Sequence, residues 1–72
     1  MSHWNYRVFR DEHGNLTIRE TYYNDAGEVV HWSLGGEAVV GDTIEDLHDG
    51  LHKMSEALTK PIVDIEELRT AP

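Results

Sequence analysis

Up to about residue 34, apolar and polar positions come in short runs separated by polar, glycine-bearing clusters, the pattern of an antiparallel meander. The first run, residues 4–10, sends Trp4, Tyr6 and Val8 to one side and Asn5, Arg7 and Phe9 to the other. Neither side is wholly polar, so the pattern leaves open which one faces a core. The next five residues, Asp11-Glu12-His13-Gly14-Asn15, form a turn in which Gly14 and Asn15 can supply the positive φ of a tight hairpin. A second strand over 16–23 puts Leu16, Ile18 and Tyr22 on the better core side and Thr17, Arg19, Thr21 and Tyr23 on the other. Asn24-Asp25-Ala26-Gly27 is a second turn, with Gly27 in the left-handed position. A third strand over 28–34 contains Val29, Val30, His31 and Trp32, and Gly35-Gly36 interrupts it before a short extended stretch over 37–40.

From Gly41 the period changes from two to about 3.6. Ile44, Leu47, Leu51, Met54 and Leu58 fall on one helical stripe, which predicts a helix over 43–59 with these five residues against the sheet. Asp42 or Thr43 can cap the orphan amides, and Glu45 or Asp46 suits the positive helix end. Gly50 weakens the middle of the helix by about 0.5–1 kcal/mol, unless another backbone approaches there. Pro61 ends it near Thr59, and 62–65 can add a short edge strand before a frayed tail over 66–72. The expected architecture is therefore a single α+β domain, β-β-β-α-β: a three-stranded antiparallel meander, one amphipathic helix packed on one face, and a short C-terminal strand. Tyr6, Val8, Ile18, Tyr22 and Val30 are the favoured partners of the helix.

Composition narrows the classes of function. The 72 residues hold 14 acids against six Lys and Arg, a formal charge of −8. Such a field repels phosphate backbones and anionic lipid, which disfavours nucleic acid and membrane surfaces as partners. The charge is uneven: residues 1–36 carry five acids and three bases (−2), and 37–72 carry nine acids and three bases (−6). The absence of Cys removes disulfides and thiolate chemistry and fits a reducing cytoplasm. The opening residues show no signal or membrane segment, so an unprocessed chain is expected. No nucleophile turn, Ser–His–Asp set or phosphate-cradling glycine loop can be assembled, so the expectation is no enzyme and no cofactor.

Two groups of residues remain as candidates. His48 and His52 stand four apart on the helix with Glu45 and Glu56 on the same flank, a spacing at which two imidazoles and a carboxylate can share a zinc- or nickel-type ion. The ordinary alternative is a solvated flank held by His–Glu contacts. The aromatics of the meander exceed what one helix can cover. Trp4, Phe9, Tyr23 and Trp32 are the candidate interaction surface, for a protein partner or for a second copy in a homodimer through an open sheet face or edge. The same rings, with Arg7, Arg10 and Arg19 on these strands, could instead stack single-stranded RNA.

The stretch Ala38-Val39-Val40-Gly41-Asp42-Thr43-Ile44-Glu45-Asp46-Leu47, leading into a helix after a meander, resembles the HicB-type antitoxin domain, whose helix opens on a similar Gly-Asp-(Thr/Ser)-x-Glu-Glu-(Ala/Leu) segment. The chain is also similar to small bacterial proteins that begin Trp-Asn-Tyr-Arg-Val, as at Trp4 to Val8, and end on Lys-Pro-(Ile/Val)-(Val/Leu)-Asp, as at Lys60 to Asp64. The HicB resemblance implies an inactive fold that neutralises a small basic ribonuclease by covering it, with no catalytic residues to carry over. Only seven residues follow Ile65 here, so the family's DNA-binding segment has no counterpart in this sequence.

Overall fold

The computed structural model describes residues 3–70. Strands β1 (His3–Arg10) and β2 (Leu16–Tyr23) form a full-length antiparallel hairpin in which Arg7 lies opposite Arg19 and Phe9 opposite Thr17. Each turn places one glycine in the left-handed region, whereas Asn15, also expected there, keeps a negative φ. Gly14 and Gly27 sit at φ 84° and 83°. The Asp11 carboxylate accepts the amides of His13 and Asn15 at 2.9 Å, which holds its pKa below the usual carboxylate value, the Asn15 bond contributing most. In the second turn the side chain of Asn24 accepts the amides of Ala26 and Glu28 at 3.0 Å.

Strand β3 (Val29–Trp32) pairs antiparallel with β2, shorter than the 28–34 run expected. A register shift between Tyr22 and Tyr23 leaves Val30 as the extra residue of a bulge, 56% exposed, and removes it from the expected core. Helix α1 (Ile44–Ser55) starts after Thr43, whose hydroxyl accepts the Asp46 amide at 3.1 Å. It tightens into a 3₁₀ turn over Glu56–Thr59. Strand β4 (Val63–Asp64) then pairs parallel to β1, giving the order β3-β2-β1-β4 and a mixed four-stranded α+β sheet.

Residues 66–70 correct the expectation of a frayed tail over 66–72: with Ile65, expected in the edge strand, they form helix α2 (Ile65–Thr70), and 71–72 lie outside the described residues. Ile65 is 3% exposed, and Arg69 donates to the Glu12 carboxylate at 2.6 Å, so an apolar anchor and an ion pair fix what the acidic composition suggested would be loose.

The sheet register divides the side chains into two faces. One carries Trp4, Tyr6, Val8, Ile18, Glu20, Tyr22 and His31, and the other carries Asn5, Arg7, Phe9, Thr17, Arg19, Thr21, Tyr23 and Trp32. Lys53 and Glu56 share a cleft with Trp4 and Tyr6, which places the end of α1 on the first face. That agrees with the Ile18 and Tyr22 side read from the pattern, and Val8 is buried there. The deepest burial is nevertheless on the second face, where Phe9 and Thr21 are fully inaccessible and Arg19 is 7% exposed.

Two arginines hold that second face together through hydrogen bonds to neutral hydroxyl and carbonyl oxygens. Arg19 donates to Thr17 Oγ1 at 2.9 Å and to the carbonyls of Ser33 and Leu34 at 3.3 Å, with its guanidinium 5.7 Å from the Phe9 ring centroid. Arg7 donates to Tyr23 Oη at 3.0 Å and to the Pro61 carbonyl at 2.7 Å, while its buried Nε has no partner. Each guanidinium thus ties a non-sheet carbonyl, at 33–34 or at 61, back onto the hairpin.

Helix α1 does not present the expected stripe to the sheet. Met54 is buried and Leu47 half-buried, but Ile44, Leu51 and Leu58 are 78%, 57% and 69% exposed. The inward arc runs through Leu47, Gly50, Met54 and Ala57, and Ala57 is fully buried. The small residues at 50 and 57 let this flank approach, and Val39 lies against Gly50. A Cβ at Gly50 would stand 3.2 Å from Val39 Cγ1, and Val39 belongs to an irregular segment able to give a few tenths of an ångström. The helical gain of Ala over Gly is about 1 kcal/mol. Gly50→Ala is therefore expected to raise stability by roughly 0.5 kcal/mol, seen as a higher Tm, and a lower Tm would mean that Val39 is held rigidly.

Candidate binding surface

The first sheet face carries a row of rings running across three strands. Trp4 meets Tyr6 edge-on at 5.4 Å between centroids, Trp4 lies 6.3 Å from Tyr22, and Tyr22 lies 5.7 Å from His31. The row exists because Trp4 and Tyr22 are register partners, as are Tyr22 and His31. Trp4 is 48% exposed. With Asn5, Tyr6, Lys53 and Glu56 it lines a cleft of about 320 Å³ between the sheet and the end of α1.

Carboxylates border these rings. Tyr22 Oη donates to Glu20 at 3.0 Å, and that bond, followed by burial, raises its pKa. Tyr6 is raised as well, first by burial and then by the charges of Glu20 and Glu37. Both phenols therefore stay neutral donors, and the negative charge around them comes from Glu20, Glu37 and Glu56. Such a face attracts cations through carboxylates and ring faces together, and it repels phosphate.

Of the four aromatics expected to form an interaction surface, the structure leaves two accessible. Phe9 and Tyr23 are 0% and 6% exposed and belong to the core of the second face. Phe9 packs 5.9 Å from Trp32 under the Arg19 guanidinium, and Tyr23 stacks on His3 at 4.8 Å and donates to Asn5 Oδ1 at 2.7 Å. That face is thus filled by its own side chains, which the alternation of residues could not show. Trp32 is half-buried beside a shallow groove with Val30, His31, Leu34 and Arg69. Trp4 is accessible, and Tyr6, Tyr22 and Glu56 lie beside it. The signal for that grouping was present in the sequence as the Trp4, Tyr6 and Val8 side of the first strand.

His48 and His52 are both exposed on α1. His52 Nε2 stands 3.6 Å from the Glu56 carboxylate, the i, i+4 contact of the ordinary alternative. Among the described residues no group of three or more His, Cys, Asp or Glu is arranged to hold a metal ion. The three arginines of the hairpin do not flank the aromatic row as a basic groove: Arg7 and Arg19 are spent on the opposite face, and Arg10 pairs with Asp64 at 3.6 Å. No helix among the described residues is long and apolar enough to cross a membrane. No family model matches the chain, nor does any curated protein or solved structure.

Proposed function

We propose that the chain is a non-catalytic, cytoplasmic protein-interaction module, antitoxin-like in covering a small basic protein partner, and that the docking face is the aromatic row of Trp4, Tyr6 and Tyr22. The observation that carries this reading is the bordering of exposed rings by Glu20, Glu37 and Glu56 in a chain of net charge −8. An arginine or lysine inserted beside Trp4 would meet a ring face and a carboxylate together, a combination worth about 1–2 kcal/mol. Opposite net charge would also speed the encounter.

The test is a titration of the full chain with an arginine-rich peptide, followed by amide spectra and tryptophan fluorescence. Saturable shifts at Trp4, Tyr6 and Tyr22, weakened about tenfold by Trp4→Ala, are the expected result. Shifts spread over all acidic residues and unaffected by Trp4→Ala would overturn the assignment of this face. Oligouridine shifting the same resonances while the peptide does not would replace it with single-stranded RNA binding.

A further inference from the structure

The stripe of α1 left uncovered has a pattern of its own. Ile44, His48, Leu51, Ser55 and Leu58 are all exposed and follow i, i+4, i+7, i+11 and i+14. They lie roughly 100° around the helix from the inward arc of Leu47, Gly50, Met54 and Ala57. Ile44, Leu51 and Leu58, with Leu47 and Met54 between them, keep the three-four alternation of a coiled-coil seam, and the sheet uses only part of it. No acid stands in the stripe itself: Asp46 and Asp49 project further round the helix, and Glu45 and Glu56 border the stripe on the flank of His48 and His52.

The molecule as a whole has surface to cover. Its accessible area is 5273 Å², whereas a monomer of 8.2 kDa typically exposes about 4500 Å². The excess of about 700 Å² is close to the ~800 Å² that one side of a standard interface covers. The radius of gyration, 13.0 Å, likewise exceeds the roughly 11 Å of a closely packed chain of this length.

We infer that this stripe is a self-association surface, on which two copies pack α1 against α1, antiparallel, about a two-fold axis at Leu51. In that arrangement Leu51 meets Leu51, Ile44 of each copy lies alongside Leu58 of the other, and His48 lies alongside Ser55. The helix dipoles of the two copies oppose in this arrangement. A second copy is the occupant because the stripe is apolar and self-complementary about Leu51, and the area left to cover matches one side of a standard interface. The contact lies on the helix and not on the sheet face or edge that the excess of aromatics suggested, so it leaves the Trp4 cleft free in each copy.

Sedimentation equilibrium of the full chain at high micromolar concentration is expected to give twice the 8.2 kDa chain mass. Leu51→Glu places two carboxylates at the axis and is expected to weaken association at least tenfold. Because Leu51 is 57% exposed, the circular dichroism spectrum should be retained, and Leu58→Glu, at 69%, serves if it is not. Leu51→Lys should likewise give monomers, and mixing the two variants should restore the doubled mass, since only a two-fold at this residue brings Glu against Lys. A wild-type mass of 8.2 kDa, a dimer indifferent to these substitutions, or a mixture that stays monomeric would overturn the inference. A monomeric chain whose Ile44, Leu51 and Leu58 signals shift with an amphipathic Leu/Lys helical peptide would assign the stripe to a basic helical partner instead.

Discussion

Phe9→Ala is expected to leave the chain largely unfolded at physiological temperature. Phe9 is fully buried, packed against Trp32 at 5.9 Å with the rings tilted by 31°, and beneath the Arg19 guanidinium. Its backbone is held on both sides, by Thr17 of β2 and Val63 of β4, so the sheet cannot collapse into the space left by the ring. Removing such a ring costs about 3–5 kcal/mol. A domain of 72 residues has only about 4–11 kcal/mol in total, at the usual stability per residue. Urea denaturation monitored by circular dichroism measures the effect. A loss below about 1 kcal/mol would show that the second sheet face is not the core. The contrast within the same chain is Leu58, 69% exposed, whose truncation to Ala should change stability by less than about 0.5 kcal/mol in the monomer.

Arg19→Ala is expected to be the second most damaging change, at about 2–3 kcal/mol. Two effects oppose each other at this position. Arg19 lies directly across from Arg7, so losing one guanidinium relieves a like-charge contact and removes the cost of burying a cation. Against this, Ala strips the aliphatic stem from the Phe9 side and leaves the Ser33 and Leu34 carbonyls and the Thr17 hydroxyl without their donor. The hydrogen bonds to the carbonyls are long, 3.3 Å each, so the packing of the stem carries much of the loss. Arg19→Met keeps that stem and should cost only about 1 kcal/mol. Equal losses for Met and Ala, read from the same denaturation curves, would transfer the effect to the hydrogen bonds.

The local elements were legible because their causes are local. Period-two alternation, Gly14 and Gly27 at the turns, Thr43 before an acidic first turn, and Pro61 after the helix each act within a few residues. What the sequence left hidden was set by contacts between elements. The heptad stripe of α1 reads as a buried face, yet Gly50 and Ala57 decide which flank can come close, and size alone turns Ile44, Leu51 and Leu58 outward. Residues 66–70 read as part of an acidic tail because the partner that fixes them, Glu12, lies 57 positions upstream of Arg69. Phe9 and Tyr23 read as surface aromatics because alternation gives no sign that Arg7, Arg19, Thr21 and Trp32 would fill the face around them. The aromatic row was half visible: Trp4, Tyr6 and Val8 share a side in the sequence, but their meeting with Tyr22, Glu20 and Glu56 required the register and the position of α1.

The strand order carries one more consequence. Strand β1 is an inner strand of the sheet, flanked by β2 and β4, yet its second neighbour is supplied by Val63 and Asp64. During synthesis the meander is complete once residue 32 has emerged, while the outer edge of β1 stays open until Val63 and Asp64 have been made, about 30 residues later. For that interval the nascent chain displays an unpaired strand edge alongside Phe9, the least exposed ring in the finished protein. A strand of two residues thus seals, well after the meander has formed, the edge through which neighbouring nascent chains on one messenger would otherwise pair.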